Sequence, residues 1–203
     1  RLNHTTRARS DTDIRVVDVR EKVDRVAADG QTIEVRLGRV QVTNTVTGYD
    51  VLKLGSSVFS AHVPLVLPPQ DLTTVAVWWT YPEEMLADAD LDPEDWPGAL
   101  HAAEHAAIGL LPLIALCDRW DLGGVSTALH PDTGRPTIFI YDGHQGGAGL
   151  TERSFHALNR HLTATRDTIR ACRCRDGCPA CVQSPKCGNG NDPLDKAGAV
   201  VLL

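Results

Sequence analysis

The stretch CRCRDGCPACVQSPKC, Cys172–Cys187, holds five of the chain's six cysteines; Cys117 is the other. Spacings of one, three, two and five intervening residues bring several thiolates within reach of one small ion. Cysteines this close rarely satisfy the Cα separations and Cβ directions that a disulfide requires. A tetrahedral metal collects four soft ligands at about 2.3 Å from just such short loops. All-sulfur tetrahedral sets select zinc or an iron–sulfur cluster. Radical enzymes that hold a cluster on a three-then-two spacing build a large barrel around it, which 203 residues of this composition do not supply, so zinc is expected. Apart from its cysteines, the segment has little beyond Ala180 and Val182 to bury. The ion is therefore expected to act as a structural staple, since a catalytic zinc keeps an open position. Five cysteines compete for four positions. Cys172, Cys174, Cys178 and Cys181 form one set with Cys187 left over; Cys174, Cys178, Cys181 and Cys187 form a nearly equivalent one.

Upstream of the cysteines, Leu150 to Ala171 reads as one helix. Phe155, Leu158, Leu162 and Ile169 share a face at helical spacing, and Arg153, His156 and Arg160 share another. Before it, Thr137–Tyr141 (TIFIY) is a short apolar strand leading into the glycine-rich loop Asp142–Gly149. That loop is neither a Walker A sequence nor G-x-G-x-x-G, so tight turning explains its glycines better than phosphate binding. Asp121–Gly124 is expected to be a turn. Ala99–Cys117 reads as an apolar helix kinked or split at Pro112. It carries His101-Ala102-Ala103-Glu104-His105, which matches the H-x-x-E-H pattern of one class of zinc proteases. A hydrolase using these residues lacks a suitable third ligand downstream, so a packed helix with a buried His/Glu hydrogen-bond pair is expected instead.

The N-terminal third is rich in Val, Ile and Thr and reads as strands: 14–19, 32–40, 41–46, 51–54, 62–67 and 74–80. Asp29-Gly30 is a hairpin-type turn. Trp78 and Trp79 are adjacent on a strand and so face opposite ways, one to the core and the other to solvent or a domain contact. Residues 82–97 hold seven acids and three prolines and read as an exposed acidic linker or a short helix and loop. The resulting organisation is α+β: a β-rich N-terminal module (1–81), an acidic linker (82–97), and a mixed α/β module (98–203) ending in a four-cysteine zinc site.

Composition is that of an ordinary globular domain, 42% hydrophobic and 23% charged. The first residue is Arg1, so the chain reads as a fragment of a longer polypeptide. No signal peptide or membrane-length apolar run is apparent, so a cytoplasmic location without membrane contact is expected. The net charge of −6 divides into +2 over residues 1–55, −11 over 56–150 and +3 over 151–203. Both ends thus tolerate a local anionic partner. Arg153, Arg160, Arg170, Arg173, Arg175 and Lys186 are the candidate phosphate contacts, and the four around the cysteines serve equally well to offset thiolate charge.

Four stretches in order, EHAAIGLLPL (Glu104–Leu113), CDRWDLGG (Cys117–Gly124), YDGHQGGAGL (Tyr141–Leu150) and CRCRDGCPACVQSPKCGNGNDPLDKAGA (Cys172–Ala199), resemble the C-terminal zinc-binding region of MrfA-type superfamily II DNA helicases, including the mycobacterial SftH group. The resemblance is close over about 98–203 and looser before it, through VTGYDVLKL (Val46–Leu54). It implies an accessory, non-catalytic part of an ATP-dependent 3′-to-5′ helicase linked to DNA repair and the nucleoid. The motor lobes would lie upstream in the same polypeptide. It further implies that Cys172, Cys174, Cys178 and Cys181 bind structural zinc, and that the region helps guide single-stranded DNA leaving the motor. The competing expectation is a zinc-stapled protein-interaction scaffold that touches no nucleic acid.

Overall fold

The computed structural model describes residues 3–26, 32–54, 59–88 and 91–203. The expected turn at Asp29-Gly30 lies outside them. Four strands come first: β1 (His4–Val26), β2 (Thr32–Lys53), β3 (Phe59–Pro64) and β4 (Gln70–Thr80). They are followed by α1 (Glu83–Asp88), α2 (Trp96–Leu110), β5 (Leu122–Thr127), β6 (Thr137–Asp142), α3 (Leu150–His156), α4 (Leu158–Ala171) and α5 (Lys196–Leu202). All six strands form one antiparallel sheet in the order β1-β2-β4-β6-β5, with β3 on the far part of β2. The α+β class is therefore as read, with a β-rich half followed by a mixed half.

The side-chain period of two decides what the sheet buries. Ile33, Val35 and Leu37 of β2, Val75, Val77 and Trp79 of β4, and Ile138 and Ile140 of β6 face the helices. The alternate positions Val40, Val42, Ala76, Trp78 and Phe139 build a second, smaller core on the opposite face. Ile14 joins that core, and His130 stands over Phe139 with ring centroids 4.7 Å apart while its Nε2 meets the Ile14 carbonyl at 3.0 Å. Both tryptophans are consequently fully buried, which corrects the solvent-facing alternative for the second of them. Trp78 stacks on Phe139 at 5.5 Å, and Trp79 donates its indole N–H to the Tyr81 hydroxyl at 2.7 Å. The exposed tryptophan is Trp120.

Helix α2 lies across the helix-facing side of the sheet. Ala99, Ala102, Ala103, Ala106 and Ala107 are all buried, so small side chains let α5, β5 and α4 approach closely. Pro97 starts the helix, where its missing N–H costs nothing, and Pro112 ends the α-helical hydrogen bonding, leaving a 3₁₀ turn at Leu111–Leu113. The expected single helix from Leu150 to Ala171 is two. Ala157, at φ −107° and ψ 23°, separates α3 from α4. Across that break Ser154 Oγ and buried His161 Nδ1 lie 2.7 Å apart, and His161 Nε2 meets the Ala107 carbonyl of α2 at 2.8 Å. The predicted turn at Asp121–Gly124 is also corrected, because Leu122–Gly124 begin β5 and pair with Ile140–Asp142. Its two glycines serve close approach, since a Cβ on Gly124 would stand 2.5 Å from Glu104 Oε1.

Candidate metal centre

Helix α4 ends at Ala171 and hands the chain to Cys172 in an extended conformation, φ −73° and ψ 123°. Gly177, at φ +118°, then reverses it so that Cys178 and Cys181 face Cys172 and Cys174. The Sγ–Sγ separations are 3.6 Å (172–174), 3.5 Å (172–178), 3.5 Å (174–181) and 3.8 Å (178–181). Four sulfurs held at about 2.3 Å from one tetrahedral ion stand about 3.8 Å apart, so the cluster has the dimensions of a zinc site. The backbone N–H of Cys178 donates to Cys181 Sγ at 3.3 Å, as suits an anionic sulfur. Against desolvation, hydrogen bonds with Cys181, Cys172 and Cys178 draw the Cys174 thiol down to about 7, whereas burial raises Cys181 to about 12. A divalent ion would resolve that split by favouring the thiolate at every position. Such an ion supplies charge and geometry and leaves no position for a substrate.

All four cysteines of the cluster pack against the main core. Cys181 and Val182 are buried in the main core, while Arg173 and Arg175 point to solvent. Lys196 at the start of α5 donates to the carbonyls of both Cys172 and Cys174 at 2.7 Å. It brings a positive charge against the thiolate pair and ties the two ends of the module together. Sequence spacing could not single it out, since it lies 22 and 24 residues from its partners.

Cys187 is apart from this cluster and has partners of its own. His101 and His105, one turn apart on α2, present their rings 4.2 Å apart, and Cys187 Sγ lies 3.4 Å from His101 Nε2. The His101 Nδ1 meets the Pro193 carbonyl at 2.8 Å and the His105 Nδ1 meets the Val182 carbonyl at 2.9 Å. Burial opposes ionisation of Cys187, but hydrogen bonds with His101 and His105 and from the Asn191 amide outweigh it and hold the thiol at about 5. Glu104 does not pair with either histidine. It accepts from Ser126 Oγ at 2.6 Å, and burial raises its carboxyl above the usual range. These groups line one wall of a cavity of about 740 Å³ between α2, β5 and the loop around Gly188.

The basic residues are not brought to one point. Arg153, Arg160, Arg170, Arg173 and Arg175 are exposed, with Arg160 reaching the Leu113 carbonyl at 3.2 Å. Lys186 is turned inward: its Nζ donates to the Leu122 carbonyl at 2.6 Å and lies 3.4 Å from those of Arg119 and Trp120. Burial lowers its pKa, and it sits 5.2 Å from the Trp120 ring centre. In the glycine-rich loop the chain fills its own anion site. Buried Asp142 accepts from the amides of Ala148 (2.6 Å), Leu150 (3.2 Å) and Thr151 (2.9 Å) at the start of α3, with Gly149 at φ +79° allowing the wrap.

A sequence profile of the MrfA Zn-binding domain matches residues 103–182. An uncharacterized protein of Methanocaldococcus jannaschii, MJ1572.1, is 38% identical over 109 residues, which are 51% of this chain and 96% of that protein. The chain belongs to the MrfA zinc-binding domain family. Two longer relatives share the domain. The ATP-dependent helicase YprA of Bacillus subtilis is 30% identical over 161 residues, and hrq1 of Schizosaccharomyces pombe, also an ATP-dependent helicase, is 26% identical over 184. These alignments take in 79% and 83% of this chain but only 21% and 17% of the helicases. The crystal structure of the DUF1998 helicase MrfA bound to DNA superposes over all of this chain and 25% of that one, with a TM-score of 0.68 at 24% identity. That likeness establishes the fold of the zinc-binding domain together with its β-rich flank. No helix among the described residues is long and apolar enough to cross a membrane.

Proposed function

We propose that this chain is a C-terminal accessory region of an ATP-dependent DNA helicase, in which zinc on Cys172, Cys174, Cys178 and Cys181 holds the end of α4 against α2 and α5. The observation that carries the reading is the four-sulfur cluster at tetrahedral spacing, locked to the core through Val182, in a member of this zinc-binding family. The domain does no bond chemistry in this reading. It braces the motor lobes of the same polypeptide and guides single-stranded DNA leaving them, as part of a repair helicase. The exposed arginines beside the zinc site, Arg173 and Arg175 with Arg170, are the first contacts for the strand, and Arg153 and Arg160 extend the track. Lys186 contributes through the carbonyls it holds. The division at 82–97 is then one of sequence modules, which fold onto one sheet through the pairing of β4 with β6.

Fluorescence anisotropy with an oligo-dT strand tests this. The 203-residue chain should bind more weakly as salt rises, each phosphate contact adding about −0.7 to the slope of log K against log salt. The double variant R173A/R175A should bind more weakly with a shallower slope and an unchanged melting curve. Absence of binding at low salt would favour the protein-scaffold reading.

A further inference from the structure

The fifth clustered cysteine and the H-x-x-E-H pattern were separate puzzles in the sequence, and the fold joins them. We propose that His101, His105 and Cys187 form a second transition-metal site, with three protein ligands and a fourth position open to the cavity between α2 and β5.

A backbone carbonyl only accepts, so a carbonyl at 2.8–2.9 Å from each Nδ1 places a proton on that nitrogen. Both Nε2 atoms then carry lone pairs when the rings are neutral, and both converge on Cys187 Sγ. A thiolate at Cys187 has no hydrogen to give to either of them. A cation shared among the three atoms satisfies all three. Metal-bound histidines characteristically donate their other ring N–H to a carbonyl or carboxylate, which fixes tautomer and ring orientation. Here both do so, and one of the anchoring carbonyls belongs to Val182, directly after the last cysteine of the first cluster.

The dimensions agree. Ligand lengths of about 2.0–2.1 Å for nitrogen and about 2.3 Å for sulfur place N and S about 3.5 Å apart at a tetrahedral ion. The His101 Nε2–Cys187 Sγ separation is 3.4 Å, and all three donor atoms fall within 4.8 Å of one another. The Asn191 amide donates to Cys187 Sγ at 3.2 Å, the same arrangement that the Cys178 amide makes with Cys181 in the first cluster. The sulfur is thus placed as a thiolate ligand. No fourth side chain joins this group among the described residues, and Glu104 is held away by Ser126. Two imidazoles and one thiolate suit zinc, and a three-ligand set leaves room for water or a small anion. Such an exchangeable position on the cavity wall differs in kind from the closed four-sulfur site.

Metal counting by elemental analysis on the whole 203-residue chain, loaded with zinc and desalted, decides the matter. We expect two zinc ions per chain in the wild type. One is expected in C187S and in H101N, two variants that each remove a different ligand. C178S should lose the other ion. Cobalt loading gives the second reading: azide should alter the visible absorption of the wild type and leave that of C187S unchanged. One ion per chain in the wild type, or two retained in both C187S and H101N, overturns the proposal. Rapid iodoacetamide labelling of Cys187 in the zinc-loaded wild type also overturns it, because that outcome assigns the cluster to a free thiolate–imidazole pair.

Discussion

In β2, Ile33, Val35 and Leu37 are buried on one face and Val40 and Val42 on the other, whereas between Cys172 and Asn191 only Cys181 and Val182 are buried. The first region is ordered by apolar alternation and ladder hydrogen bonds. The second has almost no apolar surface to withdraw from water and must offset its chain entropy by other means. Sulfur clusters and half-buried side-chain hydrogen bonds, from Lys196 to the Cys172 and Cys174 carbonyls and between Asn191 and Ser184, take that role. The same chain thus uses a cooperative sheet core and a ligand-dependent tail side by side. The two should therefore respond to different perturbations.

Zinc removal is the largest of these. Structural zinc contributes about 10–16 kcal/mol in small zinc peptides, far more than the tail's packing can replace. A strong chelator, or C178S, should expose the backbone after Ala171 to hydrogen exchange while the amides of β2 and β4 stay protected. C117S, at a half-buried position outside both clusters, should cost about 1 kcal/mol or less in urea unfolding. Equal losses from the two cysteine variants would remove the distinction between tail and sheet.

Next in size is Lys196→Met, which keeps the aliphatic stem but deletes the hydrogen bonds to Cys172 and Cys174. A loss of about 1–3 kcal/mol is expected, together with zinc affinity weakened about 10–100-fold, as for other groups that orient metal ligands. A competition titration against a zinc indicator measures it. Unchanged affinity would confine Lys196 to helix packing.

On the sheet side, the two tryptophans provide the matching test, smaller again. Trp79 donates to Tyr81, while the Trp78 indole N–H has no partner among the described residues. Trp79→Phe should therefore cost about 1 kcal/mol more than Trp78→Phe, with both cavities of similar size and zinc content unaltered in either. Denaturant midpoints measure the difference, and a reversed order would mean that packing against Phe139 outweighs the hydrogen bond.

How far this division was legible in the sequence follows from the range of the interactions. The four-cysteine cluster was readable because its ligands lie within ten residues and chemistry fixes their spacing. The strands were readable because alternation is local. Cys187 looked surplus because its partners, His101 and His105, sit more than eighty residues away, and no period in the sequence links them. Lys196 was missed for the same reason. For Trp78, alternation says only that neighbours face opposite ways; that both faces of this sheet are covered depends on Ile14 and His130, supplied by β1 and by the segment between β5 and β6. Asp142 took the amides of the glycine-rich loop, which the loop's composition alone left available to a phosphate.

The smallest effect lies within the ribbon that β1, β2 and β3 form, where a carboxylate stands in a strand. Asp50 of β2 is buried between Arg9 Nε at 2.5 Å on β1 and His62 Nδ1 at 2.9 Å on β3. The hydrogen bond with His62 lowers its pKa most, desolvation opposes, and Arg9 adds to the lowering. A carboxylate whose folded pKa is depressed stabilises the fold above its unfolded value, near 3.8, and the contribution disappears as pH falls through the lower folded value. Wild type should therefore lose stability on acidification partly through this group, and Asp50→Asn, which cannot titrate, should show a flatter acid limb from a lower starting point. Zinc thiolates also protonate in acid, so the measurement belongs on the C178S background or in chelator, with strand amides as the probe. Parallel acid limbs in D50N and its parent would show that the three-strand junction is held by its ladder alone, and would make the ribbon purer in its dependence on backbone pairing than the Arg9–Asp50–His62 geometry indicates.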